Sequence, residues 1–234
     1  MERKRCTAIV LSAGQGKRMG TSIQKQYIEL KGKPIVYYAL EAFQNSALID
    51  EIIMVVGKGQ EEYCRKEIVE KYHLDKVREI TEGGAERYDS VYSGLQRVRH
   101  DGYVLIHDGA RPFVTEAVIQ RIYDAVCNYP ACVVGMPVKD TIKIVDKEKY
   151  TKETPNRSFV WRIQTPQAFD ILLIRDAYEK FMQSEQKNIT DDAMVVESVL
   201  GMKSKLVEGS YENIKITTPE DLEIAEVFLK RREK

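Results

Sequence analysis

The stretch LSAGQGKRMG at residues 11–20 decides the fold, because it joins a short apolar run to a glycine-containing turn near the start of the chain. Such a run followed by such a turn is typical of the first strand and loop of an α/β protein. Gly14 and Gly16 permit close approach of the backbone, so main-chain amides of the turn could point at phosphate oxygens. Arg18 and Lys25 add positive charge beside it. The sequence therefore predicts a phosphate-binding loop, with an ordinary βα turn carrying solvated basic residues as the alternative.

The spacing of this loop differs from that of two familiar phosphate motifs. No G-K-S or G-K-T follows four residues after a glycine, so the loop is not a P-loop. Its glycines fall as G-x-G-x-x-x-G, and the next apolar strand ends in Gly57 and Lys58 rather than in an acid that could hold a ribose. An NAD-dependent oxidoreductase is therefore a distant alternative.

Apolar runs and amphipathic stretches alternate along the chain. The predicted strands cover residues 7–11, 52–56, 103–106, 132–138, 203–207 and 214–217. The predicted helices cover residues 34–44, 60–72, 86–99, 115–128, 170–183 and 191–200, with a last helix beginning at Thr218-Pro219-Glu220-Asp221. This alternation predicts an α/β fold, namely a Rossmann-like, mostly parallel sheet with helices on both faces.

Residues 139–164 interrupt the alternation. A β-branched run at 141–145, a polar stretch and a second short run before Pro155 predict a β-hairpin that protrudes as an arm. No linker or internal repeat is visible in the rest of the chain. We therefore expect one domain over residues 1–234 with an arm at about 139–160.

Composition weighs against several classes of function. Lys plus Arg (36) equals Asp plus Glu (36), so there is no basic field of the kind that draws nucleic acid. Cys6, Cys64, Cys127 and Cys132 form no C-x-x-C pair, which gives no readable zinc site or disulfide framework. The first apolar run is too short for a signal peptide or a membrane span. We expect a cytoplasmic protein with reduced thiols and without nucleic-acid or membrane partners.

A second informative segment, HDGARP at residues 107–112, directly follows an apolar strand. Ligands of doubly wound folds bind at the carboxyl ends of strands, where a carboxylate can hold Mg²⁺ against substrate phosphates. Asp108 is the predicted metal ligand, and the alternative is a structural Asp in a turn or helix cap. His107 is expected to be a packed residue and not a catalyst.

Seven ordered segments carry a resemblance to a known family. They are LSAGQGKRMG at 11–20 with KQY at 25–27, GGAERYDSVYSGL at 83–95, HDGARPF at 107–113, PVKDTIK at 137–143, QTPQAF at 164–169, TDDA at 190–193 and VEGSYENIKITTPEDL at 207–222. Together they resemble the 2-C-methyl-D-erythritol 4-phosphate cytidylyltransferases over nearly the whole chain. The first segment is shared with many sugar-nucleotide pyrophosphorylases. Ribitol 5-phosphate cytidylyltransferases share much of the full pattern and remain an alternative.

The resemblance implies a nucleotide-diphospho-sugar transferase-like fold, a Mg²⁺ cofactor, and transfer of CMP from CTP to methylerythritol phosphate, a step of non-mevalonate isoprenoid synthesis. It implies CTP-binding roles for Ala13, Gly14, Gly16, Arg18, Lys25, Gly84 and Ser90. The acceptor residues that it implies are Arg111, Thr141, Arg157, Thr165 and Lys215, with Asp108 on the metal and with Arg18, Lys25 and Lys215 as catalytic charges. It also implies a homodimer in which the arm reaches around the partner. Each acceptor site would then be built by Thr141 and Arg111 of one chain and by Arg157 and Thr165 of the other.

Two positions depart from the family pattern. Ala85 stands where Asp is usual and Glu212 where Asp is commoner, and no role is assigned to either. A nucleotide-binding regulatory module without turnover is a further alternative. The presence of Asp108 and Lys215 beside the basic residues of the loop argues against it, because a module that only binds does not need charge on both sides of the α-phosphate.

Overall fold

The computed structural model describes residues 3–14, 24–185 and 188–232, and strands and helices alternate along them. The strands are β1 (Cys6–Ser12), β2 (Glu29–Leu30), β3 (Lys33–Pro34), β4 (Glu51–Val56), β5 (Val77–Glu82), β6 (Tyr103–Asp108), β7 (Ala131–Pro137), β8 (Ile144–Val145), β9 (Thr151–Glu153), β10 (Trp161–Asp170) and β11 (Lys205–Glu208). The helices are α1 (Ile35–Asn45), α2 (Glu61–Cys64), α3 (Arg87–Leu95), α4 (Glu116–Val126), α5 (Ile171–Gln183), α6 (Asp192–Leu200) and α7 (Pro219–Arg232).

Seven strands form one mixed sheet in the order β11-β7-β10-β6-β1-β4-β5. Strand β10 runs antiparallel to both of its neighbours, whereas the other pairs in the sheet are parallel. In the register of β1 with β6, Leu11 lies beside Asp108. The carboxyl ends of these two central strands therefore meet at one edge of the sheet, where ligands of open α/β folds bind.

The central strands are buried on both faces. In β1, Ala8 and Val10 pack into one hydrophobic core with residues of α1 and α4, while Ile9 packs into a second core with residues of α3, α5 and α6. Successive side chains of a strand point to opposite faces, so these near-continuous apolar strands require helices on both sides. The predicted fold class, a mostly parallel sheet between helical layers, is confirmed.

Capping residues set where several helices begin. Thr115, the first residue of the predicted helix 115–128, caps α4 by accepting from the Val118 amide. Asp221 Oδ2 accepts from the amides of Thr217 and Thr218 at 2.7 and 2.9 Å, so helix α7 begins at Pro219. The predicted start of the last helix is thus confirmed.

The sheet contains two strands, β10 and β5, that the sequence pattern does not predict. Strand β10 includes Pro166, and a proline normally argues against a central strand because it removes a hydrogen-bond donor. The register of β10 against β7 shifts between Ile163 and Gln167, and this bulge accommodates the proline. Strand β5 at the sheet edge was missed as well; its mixed polar sequence lacks the apolar run of a buried strand.

Two predicted elements differ from the structure. The predicted strand at 214–217 is wrong: Ile216 is buried in a small third core with Phe113 and Leu229, and its amide donates to Ala110 O at 2.9 Å. The predicted helix at 60–72 is present, but it turns from α-helical to π-helical over Arg65–Glu70.

A protruding hairpin is present where the sequence predicts one. Strands β8 and β9 pair antiparallel, and β8 is shorter than the predicted run at 141–145. Tyr150, between the two strands, is 75% exposed, and Phe159, which follows the hairpin, is 84% exposed. Among residues 3–14, 24–185 and 188–232, none of the helices combines the length and apolar character needed to cross a membrane.

Candidate active site

Two adjoining cavities lie at the carboxyl ends of β1 and β6. The first, of about 220 Å³, is lined by Ala13, Gly14, Lys25, Gly84, Ser90 and other residues near the glycine turn. The second, of about 280 Å³, is lined by Arg111, Thr165, Thr190, Asp191 and neighbouring residues. Arg87, Asp108 and Lys215 line both cavities. These three charged side chains therefore form a shared wall between two compartments.

Close backbone packing holds the two strand ends together. The Gly109 amide donates to Leu11 O at 2.8 Å, directly after Asp108. A Cβ added at Gly109 would come within 2.6 Å of Ser12 Oγ, so no larger residue fits there. Asp108 is thereby held at the base of both cavities, where the sequence predicts a ligand-binding carboxylate.

The Asp108 carboxylate is surrounded by cationic side chains. Lys215 Nζ lies 2.9 Å and Arg111 Nε 3.6 Å from its Oδ2, while Arg87 Nε lies 3.2 Å from its Oδ1. Burial alone would raise the pKa of Asp108, but Arg87, Lys215 and Arg111 outweigh it and hold this pKa well below the usual value. Asp108 is therefore ionised at neutral pH, and the site carries an excess of positive charge suited to anions.

A buried chain of hydrogen bonds holds the backbone of Asp108 in place. The Asp108 amide donates to Thr165 Oγ1 at 3.0 Å, and Thr165 Oγ1 lies 3.0 Å from His107 Nδ1. Burial lowers the pKa of His107 to about 4, so its imidazole is neutral and carries one N–H. His107 Nε2 lies 3.1 Å from the carbonyl oxygen of Arg111, which can only accept, so Nε2 carries that hydrogen. Thr165 must then donate to His107 Nδ1, and its hydroxyl proton is committed.

The buried His107 makes a testable contribution to stability. Its pKa falls from 6.5 in the unfolded chain to about 4 in the fold, so the unfolded state binds the extra proton between these values. This stability is fully present above pH 6.5 and is lost as the pH falls toward 4, by roughly 2 to 3 kcal/mol. His107→Gln is expected to be less stable at neutral pH and to lack this pH-dependent part. Urea unfolding at several pH values measures the difference, and parallel curves for the two proteins would contradict it.

Two glycines after β5 let backbone form one wall of the first cavity. A Cβ at Gly83 would meet Ser90 Oγ at 2.5 Å and Ala13 Cβ at 2.6 Å, and one at Gly84 would meet Asp89 Cβ at 2.3 Å. Asp89 in turn accepts from the Glu86 amide at 3.0 Å and caps the start of α3. The glycine pair thus lets the first turn of α3 pack directly on the end of β1.

Two residues of the site were not singled out from the sequence. Gln26 is buried, and its Nε2 donates to Ser12 O at 2.5 Å and Gly14 O at 3.1 Å, which ties the turn carrying Lys25 to β1. Arg87 contacts Asp108 from the start of α3. Arg87 follows the glycine pair at the beginning of a helix that comes after a strand, and this position is the sequence signal that could have indicated a site residue.

The remaining predicted site residues lie elsewhere. Thr141 and Arg157 are exposed on the segment around the arm, and Arg157 Nη1 donates to Lys139 O at 3.1 Å. Neither lines the two cavities that contain Asp108. Gly16 and Arg18 fall outside the described residues.

Comparison with known proteins identifies the family. The family model for 2-C-methyl-D-erythritol 4-phosphate cytidylyltransferase matches residues 6–231. The chain belongs to this family. A cytidylyltransferase of that name from Lachnospira eligens is 51% identical over 225 residues, covering 96% of this chain and 99% of the relative. One from Clostridium botulinum is 49% identical over 225 residues, covering 96% of this chain and 99% of the relative.

Solved structures of cytidylyltransferases agree with the fold. The crystal structure of 4-diphosphocytidyl-2C-methyl-D-erythritol synthase from Anaerococcus prevotii has a TM-score of 0.85 and 39% identity, and covers 97% of this chain and 96% of that one. The cytidylyltransferase from Thermus thermophilus has a TM-score of 0.78 and 28% identity, and covers 98% of this chain and 100% of that one. The resemblance read from the sequence motifs is therefore confirmed, and the alternatives from other families are not favoured.

Proposed function

We propose that this protein transfers CMP from CTP to 2-C-methyl-D-erythritol 4-phosphate and releases pyrophosphate. The observation that carries the proposal is the pair of cavities that share Arg87, Asp108 and Lys215. Transfer between two phosphate compounds requires two anions to meet at one point, and a shared cationic wall supplies that point. The family membership and the identity to the relatives support the nature of the two substrates.

The first cavity is the proposed CTP site. Its glycine turn and the backbone at Gly84 leave room for a ligand against main-chain groups, and Lys25 adds a positive charge. Ser90 Oγ lies 3.3 Å from Glu86 O, so this hydroxyl lies at the wall formed by α3. Gly16 and Arg18 remain sequence predictions for the triphosphate.

The second cavity is the proposed acceptor site. Arg111 lines it and donates through Nη1 to Asn213 O at 2.9 Å, which fixes the guanidinium beside Asp108. Because the Thr165 proton is committed to His107, Thr165 can only accept from a ligand, and a polyol hydroxyl is a suitable donor. Arg111 and Lys215 then face the acceptor phosphate.

The reaction follows from this arrangement. A phosphate oxygen of the acceptor attacks the α-phosphorus of CTP in line, the new O–P bond forms, and the bond to the bridging oxygen of the pyrophosphate breaks. A general base is unnecessary, because a phosphate monoester with a second pKa near about 6 is already ionised at neutral pH. The protein aligns the two anions and neutralises the charge that develops between them, with Lys25 and Lys215 as the described catalytic charges.

The residues present fit one Mg²⁺ ion held mainly by substrate. Mg²⁺ commonly takes one or two carboxylates together with substrate phosphates and water. Asp108 is ionised and reaches both cavities, whereas the described residues contain no group of three or more possible ligand side chains. Asp108 would therefore be the protein ligand, and the bound ion would supply additional positive charge at the triphosphate.

The test is an assay of pyrophosphate release over several nucleotides and several phosphorylated polyols. We expect CTP with methylerythritol phosphate to give the highest kcat/KM. A higher kcat/KM with ribitol 5-phosphate would overturn the acceptor assignment. Tight binding of CTP without turnover on any acceptor would instead support a regulatory nucleotide-binding module.

We also propose one nucleotidyltransferase domain over residues 1–234, located in the cytoplasm. Strands β1 and β11, from the two ends of the described chain, belong to the same sheet, which supports the single domain. Cys6, Cys64 and Cys132 are free and buried, as expected where thiols stay reduced.

We further propose a homodimer through the arm at about 139–160. An isolated two-stranded hairpin is marginal in water, and Ile144 and Val145 are 46% and 47% exposed in the single chain. A two-fold pairing of identical surfaces is the commonest way to cover such an element. The expected division, with Thr141 and Arg111 from one chain and Arg157 and Thr165 from the other, is revised because Arg111 and Thr165 line the same cavity of one chain. Thr141 and Arg157 of one chain would instead complete the acceptor cavity of the other.

Replacement of the hairpin 144–153 by a short glycine-containing turn tests the arm. The expected product is a monomer whose KM for the acceptor rises by at least about tenfold, the effect of losing about 1.4 kcal/mol of contact, with CTP affinity nearly unchanged. Light scattering gives the mass and steady-state kinetics give the KM. Glu148→Ala at the exposed tip serves as the control, and a deleted variant that stays dimeric would contradict the proposal.

A further inference from the structure

The shared wall contains one cation whose charge is already balanced within the protein. Arg87 donates through Nη1 and Nη2 to the two carboxylate oxygens of Asp192, both at 2.7 Å, and through Nε to Asp108 Oδ1 at 3.2 Å. Three of the five N–H donors of its guanidinium are therefore committed to carboxylates. Lys215, by contrast, contacts Asp108 while its side chain stays 35% exposed.

Asp192 is a buried anchor and not part of either cavity. It is fully buried, and its Oδ1 also accepts from Tyr178 O–H at 2.6 Å. Its backbone amide donates to Gln167 Oε1 at 3.0 Å, as does the Ala193 amide, so the first turn of α6 is tied to β10. Three elements, α5, α6 and β10, therefore hold the Asp192 carboxylate, to which Arg87 donates through both Nη1 and Nη2.

The Arg87–Asp192 pair connects the walls of the two cavities. Arg87 begins α3, whose preceding loop lines the first cavity, and Asp192 begins α6 directly after Asp191, which lines the second. A bidentate pair fixes direction as well as distance, because the planar fork matches the two carboxylate oxygens. A shift of either wall would therefore move Arg87 Nε away from Asp108.

We propose that Arg87 is a positioning residue: anchored by Asp192, it fixes the orientation of the Asp108 carboxylate and holds the two cavity walls in register. Its contribution is geometric, because Asp192 already balances its charge. Lys25, Lys215 and Arg111 are then the described cations that face substrate phosphates. The inference rests on the proposed cytidyl transfer for its kinetic consequence, whereas its structural consequence can be measured without turnover.

Arg87→Lys is the decisive variant. Lysine keeps the charge but cannot hold Asp192 through two donors and Asp108 through a third. A positioning role predicts a fall in kcat of about 10- to 100-fold, the usual scale for a residue that orients a ligand-holding side chain, with the Kd for CTP nearly unchanged. If Arg87 instead bound a substrate phosphate directly, the opposite result would be expected. Arg87→Ala would then weaken CTP binding, and Arg87→Lys would keep a near-normal kcat.

Arg175→Lys is the matched control. Arg175 also ties α3 to its neighbours, since its Nη2 donates to Leu95 O at 3.2 Å and to Val98 O, but it does so at the far end of the helix. The control is expected to lower the melting temperature without lowering kcat. An equal fall in kcat in Arg87→Lys and Arg175→Lys would show that kcat depends only on the overall stability of α3, and it would overturn the proposal.

Two further variants keep the test decisive if Arg87→Lys folds poorly. Tyr178→Phe removes one hydrogen bond to Asp192 and preserves every charge. We expect kcat to fall about fivefold. An unchanged kcat would show that the Asp192 anchor does not matter for the reaction. Asp192→Asn should lower kcat in the wild-type background and have little further effect in the Arg87→Lys background. Additive losses in this double-mutant cycle would overturn the proposal.

A crystal structure of Arg87→Lys separates this inference from the proposed reaction. We expect the Asp108 carboxylate to rotate away from its contact with residue 87, whichever substrates the protein uses. An unmoved carboxylate would refute the positioning role even if cytidyl transfer is established. Absence of turnover in the wild-type protein, with a rotated carboxylate in the variant, would instead refute the proposed reaction alone.

Discussion

Asp108→Asn is expected to lower kcat by about three orders of magnitude, the upper range for removing one preorganised electrostatic group. The amide presents no negative charge for Mg²⁺. It also places an NH₂ group or an uncharged oxygen against Lys215 and Arg87, which lie 2.9 and 3.2 Å from the carboxylate. The proposed metal ligand and the counter-charge of the cationic wall are removed together, so we expect a larger fall in kcat than either loss alone would cause.

The measurement is kcat as a function of Mg²⁺ concentration, with circular dichroism to show that the fold is retained. The variant is also expected to be less stable than the wild type at neutral pH, because the cations around Asp108 lose their counter-charge. Asp176→Asn, on the exposed face of α5, is the matched control and should behave as wild type in both respects. Wild-type kcat with unchanged metal dependence in Asp108→Asn would remove Asp108 from the mechanism.

Local sequence patterns predicted the parts of the fold that depend on local chemistry. The buried central strands are short apolar runs. The predicted helices 115–128 and 191–200 begin at Thr115 and Asp191, and each of these side chains accepts a hydrogen bond from a nearby amide. The meeting of Leu11 and Asp108 at the carboxyl ends of β1 and β6 was also predictable, because parallel strands bring their carboxyl ends together.

Long-range pairing accounts for what was missed. Strand β10 is defined by two antiparallel neighbours and a bulge around Pro166, none of which appears as a periodic pattern in the sequence. Arg87 and Asp192 are 105 residues apart, so no local spacing in the sequence indicates their ion pair. The apolar Ile216 led to the prediction of a strand at 214–217. Its side chain is instead buried in a third core with α7, which does not require strand pairing.

Lys215→Ala is the second large effect, with an expected fall in kcat of about 100- to 1000-fold. Lys215 follows β11 in a segment without regular structure, but its neighbour Ile216 is fully buried and donates to Ala110 O at 2.9 Å. This anchor places Lys215 Nζ 2.9 Å from Asp108 Oδ2, on the wall shared by the two cavities. In the proposed reaction an ammonium there would stabilise the negative charge of the attacking and leaving oxygens, and alanine cannot supply that charge.

The distribution of the loss between kcat and KM decides the role of Lys215. A cation that acts mainly in the transition state lowers kcat and kcat/KM together, whereas one that only binds CTP raises KM at constant kcat. We expect the first pattern, with the Kd for CTP changed far less than kcat. Lys230→Ala, an exposed lysine of α7, is the control for loss of a surface charge and should leave both parameters unchanged. If Lys215→Ala raised only the KM for CTP, the ammonium would belong to the nucleotide site alone, and the shared wall would lose its proposed part in the chemical step.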